Sequence, residues 1–481
     1  MTRGLRVAPR ATLVAVLLLG GCALDRPTAS TTESQQSHVG SGGQSTLPNI
    51  VVILVDDARF DLTTRPFLPK TYAHLADSGI VFRNGYANTP LCCPSRSTMF
   101  TGLYVHNHGV IDNSAPDGGA QAFNDTRTIA TALHGAGYVT GLFGKYLNQY
   151  GSLQPFPYVP PGWDEWHGVL ETNPYRYYNY RTVDRLLAAA TTTVTWHGSA
   201  PSDHQTTTIE GLAIRFIGSV PANLPLAMFV TPFAPHQPAT PAPSDLAACA
   251  GLPVLRPPSY NEAVVSDQPA FVRARKIPSA RILAASDSLR LYMCRSLVGV
   301  DRMVEAIVQA LGSSGRLSNS YLFFLSDNGY HFGEHRLFLR KATLFEESVH
   351  VPFIVRGPGL QPRVDAMHFV QIADVAPTLL QIAGIPNTLP VDGSSLFDVF
   401  SNPMAPGRDD VLLEMLDVSV PNETAVGIRT AQWAYHEYAN GDRALYDMVN
   451  APPQATNRAG QTAYAAIQAQ LASRLAVLRT Q

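Results

Sequence analysis

Net charge is almost absent from this chain. Its 35 lysines and arginines against 37 acids leave a formal −2 at pH 7, so no electrostatic argument points to a nucleic-acid partner. An apolar run of membrane-spanning length is absent as well. The stretch Ala11 to Leu19 falls well short of the roughly 20 residues that a helical span needs. No internal repeat is present, which removes solenoids and propellers from the choice of folds. No Cys-x-x-Cys pair occurs among the five cysteines, so the commonest thiolate spacing for zinc is missing. What remains is a chain of 481 residues, enough for one large α/β domain and a small appendage.

The N-terminus reads as a targeting segment. Arg3, Arg6 and Arg10 precede the apolar run, and Leu19-Gly20-Gly21-Cys22 follows it. That tetrapeptide resembles a bacterial lipobox. It implies a lipoprotein signal peptide over residues 1–22, with a lipidated Cys22 as the mature N-terminus and the only membrane contact. Simple secretion after nearby cleavage is the alternative. Ala23 to Ser45 is rich in Ser, Thr, Gly and Gln and cannot build a core, so residues 23–47 read as a flexible linker.

Beyond it, strand and helix signals alternate. Asn49 to Val55 and Tyr321 to Leu325 are continuous apolar runs, the pattern of parallel strands buried on both faces. Leu226 to Val230 is a third. Helices are expected over Thr71–Ser78, Thr128–Gly135, Gln205–Ile217 and Ser286–Leu311, the last with Leu289, Met293, Leu297, Val300, Val304, Ile307 and Leu311 on one face. The alternation predicts an α/β fold, a large mostly parallel sheet covered by helices on both sides. Pro238 to Pro278 reads as a long irregular insertion. Trp433 to Tyr438, the Asn440-Gly441-Asp442 turn and Ala444 to Met448 read as a hairpin, and Tyr464 to Leu478 as a closing helix. Residues 48–400 are therefore assigned to the main domain and 401–481 to a small C-terminal α+β subdomain.

Acids sit where such a sheet binds ligands. Asp56 and Asp57 follow the first strand, and Asp327 and Asn328 follow the strand that starts at Tyr321. Ligands of open α/β sheets bind beyond the carboxyl ends of strands. Four oxygen-bearing side chains can thus converge there, a donor set for calcium or magnesium rather than zinc. A lone Asp-Asp would more often be a solvated turn.

The segment Leu91 to Gly102, Leu-Cys-Cys-Pro-Ser-Arg-Ser-Thr-Met-Phe-Thr-Gly, contains Cys-x-Pro-Ser-Arg with Thr-Gly five residues after the Arg. It resembles the signature of type I sulfatases of the alkaline phosphatase superfamily. That resemblance implies oxidation of Cys92 to formylglycine by a formylglycine-generating enzyme. Cys93, at the variable position, is expected only to pack. A hydrated aldehyde offers one hydroxyl to attack sulfur and a second whose ionisation expels sulfate, which is covalent catalysis by an activated nucleophile. The resemblance further implies that Asp56, Asp57, Asp327 and Asn328, with the modified Cys92, hold one divalent ion, calcium before magnesium. It assigns the sulfate clamp and the leaving-group acid to Arg96, Lys145, His236 and Lys341.

Further strings are similar to the N-acetylglucosamine-6-sulfatase branch. They are Gly144-Lys145-Tyr146-Leu147-Asn148-Gln149-Tyr150-Gly151, Pro160-Pro161-Gly162-Trp163 and Tyr330-His331-Phe332-Gly333-Glu334-His335. The substrate they imply is a sulfated small molecule or glycan. There is one departure. Many arylsulfatases carry Lys-x-His where this chain has Lys145-Tyr146-Leu147, so the base for the second hydroxyl is missing there, and His331 or His335 is a candidate substitute. Two alternatives stand beside the sulfatase reading: a phosphatase or phosphonate monoester hydrolase of the same superfamily, and an inactive lipid-anchored binding protein. Cys249 and Cys294 are either a disulfide or two buried thiols.

Overall fold

The computed structural model describes residues 45–170, 175–386, 389–417 and 419–481. The expected signal peptide, lipobox and linker up to residue 44 lie outside the described residues. The last linker residues already belong to the domain. Ser45 donates its amide to the Ala222 carbonyl at 3.1 Å, and the Asn319 amide donates to the carbonyls of Ser45 and Leu47.

The main sheet has ten strands. In chain order they are β1 (Asn49–Val55), β2 (Gly79–Tyr86), β3 (Val139–Gly144), β4 (Glu165–Leu170), β5 (Tyr180–Arg185), β6 (Thr193–His197), β7 (Leu226–Thr231) and β8 (Ser320–Ser326). After a two-stranded ribbon of β9 (His331–Phe332) and β10 (Phe338–Arg340) come β11 (Phe353–Arg356) and β12 (Arg363–Gln371). The order across the sheet is β12-β2-β11-β8-β1-β7-β3-β4-β5-β6. The run β8-β1-β7-β3-β4 is wholly parallel. Only β11 and β5 oppose their neighbours' direction, so the expected mostly parallel sheet is borne out.

The continuous apolar runs have a direct cause. Ile50, Val52 and Leu54 of β1 enter one core, with Met99, Phe100, Leu133 and Leu379. Val51, Ile53 and Val55 enter the other, with Ile209, Phe216, Met293 and Leu297. Both faces of the strand are dry because helices cover both sides of the sheet. The long helix Ala280–Ser313 packs on the second face. Cys249 and Cys294 form a disulfide that pins the irregular insertion to this helix.

The C-terminal subdomain is a four-stranded antiparallel sheet, β13 (Asp410–Met415), β14 (Ala425–Thr430), β15 (Trp433–Tyr438) and β16 (Arg443–Asp447). Leu471, Leu475 and Leu478 of the last helix pack on one face of it, and Phe271, Phe345 and Val349 of the main domain on the other. Val399, Phe400 and Ala405 pack into the first core of the main domain, so the small sheet starts at Asp410, beyond the expected boundary at 401. Among the described residues no helix is long and apolar enough to cross a membrane.

Candidate active site

Parallel pairing brings the predicted acids together. Val55 of β1 lies beside Ser326 of β8, so Asp56-Asp57 and Asp327-Asn328 leave the sheet side by side. The Asp57 amide donates to Asp327 Oδ1 at 3.1 Å, and Asn328 Nδ2 donates to Asp57 Oδ1 at 2.6 Å. Asp57 sits at φ 66°, a left-handed conformation unusual outside glycine and concentrated at functional sites.

Cys92 is the first residue of the helix Cys92–Thr101, with Pro94 in its first turn. Proline is tolerated in a first turn because no intrahelical donor is lost there. The Thr101 hydroxyl donates to the Ser97 carbonyl, and Gly102 ends the helix at φ 74°, a conformation glycine adopts without strain. The Thr-Gly of the signature thus fixes the helix end. Its start is fixed by Ser95, whose hydroxyl donates to the Asp327 carbonyl at 2.6 Å, and by Asn113, whose Oδ1 accepts the Cys93 amide at 2.9 Å. Cys93 itself packs in the first core.

Four cationic or basic groups surround Cys92. Lys145 follows β3 through Gly144, where a Cβ would stand 2.1 Å from the Thr231 carbonyl oxygen. Its ammonium donates to Asp56 Oδ2 at 2.8 Å. Lys341 donates to Asp57 Oδ1 and to Cys92 Sγ, the latter at 2.7 Å. It is held in a strained loop, with Leu339 and Ala342 at φ 55° and 68°. His236 follows β7. Its Nδ1 donates to the Gln237 carbonyl at 2.6 Å, which turns Nε2 toward Asp57 Oδ2 at 3.5 Å. Arg96 donates from Nε to Asp327 Oδ2 at 2.8 Å and from a terminal nitrogen to the Lys145 carbonyl at 2.9 Å. Most of its guanidinium is therefore spent on positioning two neighbours, while its other terminal nitrogen is buried 3.5 Å from Asp56.

Burial raises the Asp56 carboxyl, but the charges of Lys145, His236, Arg96 and Lys341 outweigh it and hold Asp56 well below the usual range. Cys92 goes the other way. Burial pushes its thiol far up, Asp56 adds to that, and Lys145 and Lys341 do not reverse it. A cysteine built to act as a thiolate has a lowered value, the opposite of the direction at Cys92.

The donor set can hold a metal ion. Asp56, Asp57, Cys92 and His236 each bring one ligand atom within 4.8 Å of the others. Asp57 Oδ2 and Asn328 Oδ1 are buried without hydrogen-bond partners, a costly state that a cation would relieve. Asp327 has both oxygens engaged, but a carboxylate accepts more than one partner per oxygen.

His331 and His335 turn elsewhere. His331 Nε2 meets the Thr343 hydroxyl at 2.8 Å. His335 lies between Glu262 and Glu347 and stacks on Phe345. The pair does have the four-residue spacing of a helical zinc site, but strand β9 and Gly333 send the two rings to different partners. Leu147 is fully buried in the first core. Sequence reasoning missed Tyr175. Its ring stands 4.2 Å from His236 and 5.0 Å from the Lys145 ammonium. It lies thirty residues beyond Lys145, and only the fold joins them.

Comparison with known proteins decides the family. A family model described as Sulfatase matches residues 48–385. The chain belongs to the sulfatase family. A second model, N-sulphoglucosamine sulphohydrolase, C-terminal, matches residues 333–481. The N-acetylglucosamine-6-sulfatase of Capra hircus is 33% identical over 78% of this chain and 67% of its own length, so the expected kinship with that branch is borne out. The extracellular sulfatase SULF-1 homolog of Drosophila melanogaster is 34% identical over 76% of this chain, and a putative extracellular sulfatase Sulf-1 homolog of Caenorhabditis elegans is 33% identical over a similar share. The chain spans 32% and 52% of the lengths of these two relatives. Two solved structures share the fold at 22% identity. One, described as a complex with its substrate D-glucosamine-2-N,6-O-disulfate, has a TM-score of 0.73 over 90% of this chain and 98% of its own. The other, a phosphonate monoester hydrolase of Agrobacterium radiobacter, has 0.66 over 90% and 96%.

Proposed function

We propose that this sulfatase hydrolyses sulfate esters on a sugar or glycan, with Cys92 matured to formylglycine and one divalent cation in place. The observation that carries the reading is the buried meeting of Cys92 with Asp56, Asp57 and Lys341 at the carboxyl end of the sheet. Formylglycine supplies a hydrate hydroxyl as nucleophile and a second hydroxyl whose ionisation releases sulfate. The cation, calcium before magnesium, would be held by Asp56, Asp57, Asp327 and Asn328 beside residue 92, and supplies charge compensation for the ester oxygens.

The chain's own groups do the rest. Lys145 and Lys341 hold the anionic ester, with Arg96 fixing Lys145 and Asp327 around it. Lys341 is also the cation nearest residue 92, where it favours loss of a proton from the second hydroxyl in the absence of a histidine at Leu147. His236, with Nδ1 committed to Gln237, presents Nε2 to the leaving oxygen as general acid. Cys92 has no exposed surface, so a formylglycine-generating enzyme must reach it before the domain closes. Export accords with the extracellular naming of the fly and nematode relatives, and anchoring would run through a lipidated Cys22.

Parallel rates on nitrophenyl sulfate and nitrophenyl phosphate test the reading. The sulfate should be the better substrate by kcat/KM. A preference for the phosphate or a phosphonate ester would move the chain to the sister chemistry, and no turnover of either would leave a binding protein.

A further inference from the structure

We propose that a second subsite, at the carboxyl end of β4 and the start of β5, binds an acidic or sulfated sugar residue of the same glycan whose ester is cleaved in the main site. The inference rests on the sulfatase reading and deepens it, from a sulfated sugar to a chain with more than one negative charge.

A groove of about 480 Å³ lies there, lined among others by Gln121, Gln149, Ser152, Phe156, Leu170 and Arg181. Sheet order sets its place. Lys145 leaves the carboxyl end of β3. β4 runs parallel beside it, and Leu170 at the end of β4 pairs with Arg181 of β5. Neighbouring strands are about 4.8 Å apart, so Arg181 stands two strand spacings, roughly 10 Å, along the same edge that carries the main site. A loop joins the two places. Asn113 caps the Cys93 amide, and two residues on, the Ala115 amide donates to Gln149 Oε1 at 3.0 Å. Gln149 itself is held four residues past Lys145 in a left-handed conformation, φ 60°.

The chemistry of the groove is that of an anionic sugar. No acid is among its described lining residues, and the Arg181 side chain is exposed, with no hydrogen bond or ion pair to another described side chain. Other arginines around the main site are spent. Arg340 and Arg275 both pair with Glu423, and Arg59 pairs with Glu334. A guanidinium left free matches a sulfate or carboxylate with two parallel hydrogen bonds. Gln121, bonded to Ser152 at 2.9 Å, offers amide and hydroxyl groups for sugar hydroxyls. Trp196 of the edge strand β6 is the cross-strand neighbour of Arg181, hence on the same face. It is 62% exposed, and Phe156 is 43% exposed. Aromatic surface left in water beside a free cation suits the apolar face of a sugar ring.

The test compares the mature, metal-loaded enzyme with Arg181→Glu and Trp196→Ala on nitrophenyl sulfate, on a sulfated monosaccharide, and on a polysulfated glycosaminoglycan hexasaccharide. Arg181→Glu should lower kcat/KM on the hexasaccharide about tenfold or more relative to nitrophenyl sulfate, the scale of a lost charge-assisted contact, mainly through KM. Trp196→Ala should lower the same ratio by a smaller factor. The monosaccharide should follow nitrophenyl sulfate. An unchanged hexasaccharide ratio in Arg181→Glu overturns the subsite. If the wild type hydrolyses no sulfate ester, the sulfatase reading fails separately. Calorimetric affinity for the hexasaccharide then decides, and equal values for wild type and Arg181→Glu overturn the subsite.

Discussion

At the scale of single residues, the site depends on side chains that are costly to bury. Asp56, Asp57, Asp327, Arg96 and Lys145 have no exposure and survive there only because each meets an opposite charge. The signature residues were legible because they form one contiguous string, although Ser95 and Arg96 reach Asp327 across the chain. Ser95 and Thr101 hold the helix, and Arg96 reaches the acids. Tyr175 and Asn113 were not legible, since they lie outside any such string and only the fold brings them to the site. His236 gives a substrate-dependent prediction. A sugar alkoxide is a far poorer leaving group than nitrophenolate, so a general acid matters most for the sugar. His236→Ala should cost ~10²–10⁴-fold in kcat on a sulfated sugar and far less on nitrophenyl sulfate. Equal losses on the two would assign the ring to sulfate binding or packing.

At the scale of elements, strands and helices with one clear burial pattern were legible. The run Asn49 to Val55 is β1 residue for residue. Thr128 caps its helix, and the helix expected over Ser286–Leu311 is present with six more residues at its start and two at its end. Strands β4 to β6 were not legible: they mix polar and apolar residues, and β6 is largely exposed. The His331–His335 segment shows what loops add. Burial opposes a charged His335, but Glu347 and Glu262 outweigh it and lift its pKa to about 9. Nearby His331 and His436 are both held neutral by burial. An unfolded histidine titrates near 6.5. The stabilisation from His335 is thus full below about pH 6.5 and lost as pH rises through about 9, on the order of 3 kcal/mol in all. Urea unfolding across that window should show wild-type stability falling, and His335→Gln should flatten the fall. An identical slope in the variant would show that His335 does not titrate with folding.

At the scale of the whole molecule, the parallel run β8-β1-β7-β3 gathers Asp327 and Asn328, Asp56 and Asp57, His236, and Lys145 to one edge, and the Cys92 helix closes over them. The sheet was readable from sequence because its strands are dry on both faces; the division at Asp410 was not, because Phe400 and its neighbours pack backward into the main core. One metal ion per chain should be measurable by elemental analysis. Asp57→Ala should lose the ion and most activity while keeping the native melting profile of the metal-free enzyme. Full activity after exhaustive chelation would remove the cation from the mechanism. The central claim is that Cys92 acts only after oxidation, and the mass of its peptide tests this most directly. Samples matured to different extents should contain a species about 18 Da lighter than the thiol form, and kcat should rise in proportion to its fraction. Full activity in a sample whose Cys92 peptide carries only the thiol would contradict it.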